Sequence, residues 1–455
     1  MKRIRLFLAC IASRLTRFGL RLLGRGGTAL PGKIALKLCP DLLSTLGRGV
    51  DTVIVTGTNG KSTSAGMLRK MLDEQGIPYF SNKAGSNMTV GIAAEYIENA
   101  TLGGKPRTHV AVIECDEGKF PAVVKALQPK VILVTNLFRD QLDRYGDVNN
   151  IRGYLAKGIA SAPGAVLCLN ADCSLTASLG QDVPNSVIYY GVDGVSSEAP
   201  ANIADAPQCL RCGEKFIYTR YTYAHLGDWS CPRCGNRRPT PPVTASAVET
   251  EPAGGSRITM TFPAGERRFR LPLPALYNVY NAMGCMAAAE AMHWDADGCI
   301  AALEDFSAVF GRMEAMQIGS TPVQVILVKN PAGCDRALEH LLTMPENTYP
   351  IFCLNDTIAD GVDISWIWDT YFEMMFRSRT YSRFGVYGAR AQDLRLRLKY
   401  AGAPDETITV FSTVDELAEA VKGAGTPVCV MPNYSTMLTV RDKLSALSGG
   451  KKFWE

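Results

Sequence analysis

The stretch Thr56-Gly57-Thr58-Asn59-Gly60-Lys61-Ser62-Thr63 decides how this chain is read. It closes a β-branched run, Thr52–Thr56, and opens a helical pattern that starts at Lys61. Glycines let backbone N–H groups approach phosphate oxygens, and a helix N-terminus favours their charge. The pattern therefore predicts a phosphate loop in which Gly57, Thr58, Asn59, Gly60, Lys61, Ser62 and Thr63 hold ATP. Lys61 would reach the β- and γ-phosphates and Ser62 would ligate Mg²⁺. Val55 stands where the longer form of this loop has its first glycine, which marks a shortened variant.

Outward from the loop, short apolar runs alternate with helical patterns, the signature of a parallel sheet covered by helices. Expected strands are Thr52–Thr56, His109–Glu114, Val131–Thr135 and Ala165–Leu169, with helices following Lys61, Phe120 and Val148. Composition shifts toward Cys, Pro, Arg and aromatic residues between Pro200 and Thr250, which reads as an inserted module. Ser256–Phe269 is strand-rich, a helix starts near Asn278, and Gly311 reads as a hinge. Beyond it, Val323–Val328, Ile351–Leu354, Arg383–Val386, Thr407–Phe411 and Pro427–Met431 suit a smaller doubly wound domain. The expected organisation is a basic segment over 1–45, a central ATP-binding domain over 46–312 and a last domain over 313–455.

A chain of 455 residues with 47% hydrophobic and 20% charged side chains has ample material for several cores and little room for disorder. A net charge of +4 is too small to argue for nucleic acid as a partner. The charge is nonetheless uneven. From Met1 to Pro40 every charged residue is basic, and the first acid is Asp41. No long apolar h-region follows, so a secretory signal is not expected, and no run is long enough to span a bilayer. The chain reads as cytoplasmic. Arg14, Arg17 and Arg21 among Leu6, Phe7, Leu15, Phe18 and Leu22 leave two readings open: a helix packed on the domain, or a basic amphipathic helix at the inner face of the membrane.

Ten of the fourteen cysteines are scattered singly through apolar stretches, as reduced buried cysteines are. The other four, Cys209-Leu-Arg-Cys212 and Cys231-Pro-Arg-Cys234, have zinc-ribbon spacing and predict a structural Zn²⁺ site within an insertion over about 203–240. Arg211, Arg220, Arg233, Arg237 and Arg238 lie near it, so a ribbon that grips nucleic acid is the other reading.

The phosphate loop resembles that of the Mur ligases and folylpolyglutamate synthases, and further pieces recur in order. Ile113-Glu114-Cys115-Asp116 is similar to their strand-end Glu, implying that Glu114 helps hold Mg²⁺ and serves catalysis with Lys61. Thr135-Asn136 followed by Asp140-Gln141-Leu142-Asp143 resembles their Thr-Asn-x-x-x-Asp-His-Leu-Asp segment. Leu276–Ala282 carries their Asn-x-x-Asn-Ala helix start, so Asn278 and Asn281 are implied to face the nucleotide. Gly311-Arg312-Met313-Glu314 matches their hinge and implies that Arg312 binds nucleotide, while Lys329-Asn330-Pro331-Ala332-Gly333 opens the last domain. The implied fold is α/β, a P-loop Mur ligase central domain with an inserted zinc ribbon. Two departures stand out: Gln141 replaces His, and Leu155 sits where that family has a carbamylated lysine, with Lys157 displaced. Mur ligases also usually carry an N-terminal domain for the uridine nucleotide of their substrate. Here about fifty residues precede the loop, which suits a substrate already attached to lipid.

In Leu354-Asn355-Asp356-Thr-Ile-Ala-Asp360-Gly361-Val-Asp363-Ile-Ser365-Trp366-Ile-Trp368-Asp369, acids and tryptophans crowd behind a strand end, where α/β domains place their sites. With the zinc ribbon, this motif resembles a subgroup of the family, the ligase subunits of lipid II isoglutaminyl synthases. That resemblance implies ATP-dependent amidation of the D-glutamate α-carboxylate of the lipid II stem peptide through an acyl phosphate. It also implies ammonia supplied by a GatD-like class I glutamine amidotransferase subunit in a heterodimer. One carboxylate among Asp356, Asp360 and Asp363 would orient the partner's catalytic His, with Asp356 favoured. A ligase adding an amino acid and a nucleotide-switched zinc-ribbon binding protein are the competing readings.

Overall fold

The structure, a computed structural model, describes residues 2–22, 29–82, 86–140, 146–197, 205–251, 255–307, 312–358 and 360–448. The chain divides into two compact units, Met1–Phe138 with Val148–Ser307, and Arg139–Asp147 with Ala308–Glu455.

The first unit is built on strands β1 (Asp51–Thr56), β2 (Tyr79–Ser81), β3 (Val110–Glu114), β4 (Val131–Val134), β5 (Val166–Asn170) and β6 (Val187–Val192). A hairpin of β7 (Ile217–Tyr223) and β8 (Leu226–Ser230) follows, then β9 (Val243–Thr250), β10 (Ser256–Phe262) and β11 (Gly265–Leu271). Nine strands form one sheet in the order β11-β10-β9-β6-β5-β4-β1-β3-β2, and β7-β8 stands apart. Strands β2 to β6 and β1 run parallel, with Val- and Ile-rich runs buried on both faces as parallel sheets require. The stretch Val243–Thr250, read from composition as part of the insertion, instead pairs with β6 and belongs to the main sheet. The insertion proper ends before it.

Helix Leu276–Met292 is apolar nearly all round and is buried accordingly, packed on β4, β5 and β6 on one side and on helix Lys61–Glu74 on the other. Its Ala, Gly and Cys residues permit that close approach. The ten single cysteines are all buried. At the chain start, helices Lys2–Leu22, Ala29–Leu38 and Leu42–Leu46 belong to this unit, with the first two packed on helix Thr89–Asn99.

The second unit holds β12 (Arg312–Ile318), β13 (Thr321–Ile326), β14 (Tyr349–Cys353), β15 (Phe384–Tyr387), β16 (Ile408–Phe411) and β17 (Val428–Pro432), ordered β12-β13-β17-β14-β15-β16. Five strands are parallel, as the sequence predicts, and β12 adds an antiparallel edge through a tight hairpin with β13. Its polar alternation, Arg-Met-Glu-Ala-Met-Gln-Ile, hides it from a reading that looks for continuous apolar runs. The core gathers Val323, Val325, Ile351, Leu417, Val428, Val430 and Leu444.

Candidate active site

The register of the first sheet assembles the site. Val55 lies opposite Glu114 and Thr56 opposite Val134, so the carboxyl ends of β1, β3 and β4 deliver the phosphate loop, Glu114 and Thr135 to one edge. Helix Lys61–Glu74 starts from Gly60, whose left-handed backbone (φ 88°) only glycine adopts without strain. A Cβ there would collide with Asn281 Oδ1, and one on Gly57 with Thr135 Oγ1. The loop is pinned from the neighbouring strand end. Thr58 N donates to Asn136 O (2.9 Å), Asn59 N to Asn136 Oδ1 (3.0 Å), and Thr135 Oγ1 to Asn59 O (2.6 Å). Phe138 N in turn donates to Thr58 Oγ1 (3.0 Å).

Lys61 is buried, donating to Gly57 O and Thr58 O and forming a 2.8 Å ion pair with Glu117 Oε1. Glu117 was not expected from the sequence. The only signal was a second acid three residues beyond Glu114. Glu114 is buried at the β3 end, its backbone gripped by Asn82 (N to Oδ1 2.9 Å, Nδ2 to O 2.8 Å) and its Oε1 near Asn87 Nδ2 (3.4 Å). Ser62, next to Lys61 on the first turn of helix Lys61–Glu74, is partly exposed. A hydroxyl and a carboxylate are hard oxygen donors, which fits Mg²⁺. At the helix Leu276–Met292 start, Asn278 and Asn281 are both buried, and Asn281 lies directly against Gly60.

Gly311 and Gln141 lie outside the described residues, as does the Arg312 side chain. Leu155, at the family's lysine spacing, is fully buried, while Lys157 faces solvent.

The four cysteines converge. Their sulfurs all lie within 4.8 Å of one another, with Cys209 to Cys234 at 3.6 Å and Cys212 to Cys231 at 3.4 Å. Zinc–sulfur bonds of about 2.3 Å at tetrahedral angles place sulfurs roughly 3.8 Å apart, so this donor set fits Zn²⁺. The hairpin they terminate is bolted to the sheet. Trp229 is buried and donates to Ala171 O (3.0 Å), and Arg238 Nε bonds the fully buried Asp172 (2.7 Å). Burial pushes the Asp172 carboxyl up, against Arg238, the Tyr280 hydroxyl and the Val192 amide, which pull it down. At the hairpin tip, Tyr223 packs on Tyr280, and both Tyr223 and His225 pack on Phe138, the residue that bonds Thr58. His225 Nε2 also meets Cys173 Sγ at 3.2 Å. Burial alone would raise that thiol and lower that imidazole. Each is instead shifted the other way by its partner, toward thiolate and imidazolium.

The acidic loop lies in the second unit, behind β14. Asn355 is fixed by Asn433, Ser435 and the Ala389 amide. Asp360, nearly buried, accepts from Ser435 N (2.8 Å), Ser435 Oγ and Thr357 Oγ1 (2.6 Å). Asp363 caps a turn by accepting from Ser365 N (2.8 Å). Asp356 points outward, its side chain 39% exposed, with Arg390 Nη1 at 3.6 Å. In the same stretch of chain Ile358, Val362 and Trp368 are exposed apolar side chains. Asp140 of the family segment pairs with Lys329 within this same unit.

Comparison with known proteins agrees with this geometry. Residues 55–218 match the family model "Mur ligase middle domain" and 327–437 match "MurT ligase C-terminal". The chain is 31% identical over 444 residues to the lipid II isoglutaminyl synthase (glutamine-hydrolyzing) subunit MurT of Streptococcus pneumoniae (strain ATCC BAA-255 / R6), spanning 96% of this chain and 97% of that protein. It belongs to the MurT family of Mur ligases. A pseudomurein peptide ligase type C from Methanothermus fervidus shares its fold with a TM-score of 0.68 at 22% identity, over 88% of this chain and 79% of that one. MurF ligase from Thermotoga maritima, solved in complex with ADP, does so with a TM-score of 0.62 at 12% identity, over 92% and 84%. The acidic loop lies within the C-terminal match.

Proposed function

We propose that the chain is the ligase subunit that uses ATP to amidate the D-glutamate α-carboxylate of the lipid II stem peptide, yielding D-isoglutamine. The observation that carries this reading is the near full-length match to a MurT subunit, 97% of whose length this chain covers. A carboxylate oxygen of the substrate attacks the γ-phosphorus of ATP and ADP leaves. Ammonia then attacks the acyl carbon, phosphate departs, and the amide remains. Both steps build charge on phosphoryl oxygens, so preorganised cations and amides supply most of the rate.

Lys61 and the loop amides from Gly57 to Thr63 would hold the β- and γ-phosphates, and Asn278 and Asn281 would complete the nucleotide site. Ser62 and Glu114 would hold Mg²⁺, which supplies charge neutralisation at the transferred phosphate when bound. Glu117 is the counter-ion of Lys61, and a bound phosphate would compete with it for that ammonium. Cys209, Cys212, Cys231 and Cys234 would hold Zn²⁺ as a structural staple.

Ammonia would come from a GatD-like class I glutamine amidotransferase subunit in a heterodimer. Asp356 is the carboxylate suited to orient that partner's catalytic His, because Asp360 is consumed inside the loop and Asp363 in a turn. The exposed Ile358, Val362 and Trp368 fit the apolar centre such an interface needs. The place of action is the cytoplasmic face of the membrane, where lipid II is made.

The test is phosphate release by the purified chain with ATP, Mg²⁺ and lipid II, comparing ammonium, free amino acids, and glutamine with the glutaminase. Release dependent on lipid II and ammonium, with an amidated product, supports the reading. Release with an amino acid makes the chain a stem-peptide extender, and release indifferent to lipid II makes it a nucleotide switch.

A further inference from the structure

Helix Lys2–Leu22 carries two apolar faces, and the fold uses one. Leu6, Ala9, Cys10 and Ser13 are buried inward. On the far side Ile4, Leu8, Ile11, Leu15, Phe18 and Leu22 recur at four- and three-residue steps, one stripe along about five turns. Five of them are open to solvent, Ile4 at 65%, Leu8 at 52%, Leu15 at 64%, Phe18 at 62% and Leu22 at 74%. Single exposed leucines need no explanation, but a continuous stripe does.

The arginines of this helix divide by partner. Arg14 Nη2 donates to Ile97 O (2.9 Å) and Ala100 O, and Arg17 pairs with Glu95 (3.2 Å) and Glu98 (3.6 Å), all on or just after helix Thr89–Asn99. These contacts fix the rotation of the helix, so the stripe cannot turn inward. Arg3, Arg5 and Arg21 are exposed beside the stripe. The helix that packs on it, Ala29–Leu38, adds exposed Lys33 and Lys37. No acid occurs before Asp41.

We propose that this face lies on the surface of an anionic phospholipid bilayer, with the stripe at the acyl boundary and the basic rim at the headgroups. A helix with an apolar face edged by arginine and lysine is the form that binds in the interface plane. No helix among the described residues is long and apolar enough to cross a membrane, so contact from one side is the mode that fits. A second copy of the chain is a poor occupant, because antiparallel or parallel pairing of two such stripes brings basic rims together with no acid between them. The inference goes beyond the ligase reading and does not rest on it.

The experiment is co-sedimentation of the full chain, without nucleotide, with vesicles of phosphatidylglycerol or of phosphatidylcholine. Binding to the anionic vesicles alone, weakened by salt, is expected. Arg3→Glu, Arg5→Glu and Arg21→Glu should each weaken it by about fivefold or more. Leu15→Ser with Phe18→Ser should weaken it by about tenfold or more while the melting temperature holds, since both side chains are exposed. Equal binding to both vesicle types, no binding, or unchanged binding by these variants would overturn the proposal. So would a solution dimer that the Leu15→Ser, Phe18→Ser variant dissociates. Amidation of a water-soluble stem peptide, measured separately, should be untouched by all these variants, which separates failure here from failure of the ligase reading.

Discussion

Glu117→Gln isolates the ion pair at the centre of the phosphate loop. Lys61 and Glu117 are both buried, 2.8 Å apart, and removing one partner of such a pair costs about 3–5 kcal/mol by stranding the other charge. Here the low end applies, about 3 kcal/mol, because Lys61 keeps the Gly57 and Thr58 carbonyls. For a unit of this size each kcal/mol shifts the melting temperature by roughly 2–4 °C, so the nucleotide-free variant should melt about 6–12 °C lower. Phosphate gives Lys61 a new counter-ion. Saturating ADP or a non-hydrolysable ATP analogue should therefore raise the variant's melting temperature by several degrees more than it raises the parent's. Differential scanning fluorimetry with and without nucleotide reads both quantities. An equal loss in both conditions, or no loss at all, would refute the view that Glu117 stands in for phosphate.

Asp356→Asn should keep ammonium-driven turnover and lose the glutamine-driven rate, measured with the glutaminase present. Asp360→Asn should instead destabilise the second unit by about 2 kcal/mol in a denaturant melt, since a neutral amide cannot accept from Ser435 N, Ser435 Oγ and Thr357 Oγ1 as the carboxylate does. Zinc assay after thiol release should find one ion per chain, and Cys212→Ser should lose it and lower the melting temperature. Asp335 is pushed up to about 6, chiefly by burial, with the Tyr371 amide and Arg336 opposing. A carboxyl raised above its unfolded value stabilises fully below about pH 4 and loses that contribution as pH rises through 6. Asp335→Asn should flatten this decline and make the protein more stable by about 2 kcal/mol near pH 7, by denaturant titration across that window.

The phosphate loop, the four zinc-type cysteines and nine of the strands were legible because each is a local signal. Glycines, a lysine and a hydroxyl follow one another within eight residues, and parallel strands announce themselves by unbroken Val and Ile. What was hidden depends on distant partners. Glu117 is an unremarked acid until β1 and β3 align Lys61 beside it. Asp360 and Asp356 look alike in the motif, and it is Ser435, 75 residues on, that joins Thr357 in holding Asp360 inward. Strand β9 was lost to the composition of the insertion before it, because its own residues, Val-Thr-Ala-Ser-Ala-Val-Glu-Thr, are half polar. The apolar stripe at the chain start was visible as periodicity, but which side would be covered was set by Glu95 and Glu98.

The loop bearing Asp356 takes its shape from residues some 75 positions further along the chain. Asn355 is held by Asn433 and Ser435, and Asp360 by Ser435, all beyond the final strand β17. Contacts of such long sequence separation close late in folding. A chain still emerging from the ribosome, or one clipped before residue 433, would therefore present no ordered surface at this position. Pairing with a second subunit through it would be open only to copies in which residues 433–435 are already seated, so assembly would double as an inspection of folding.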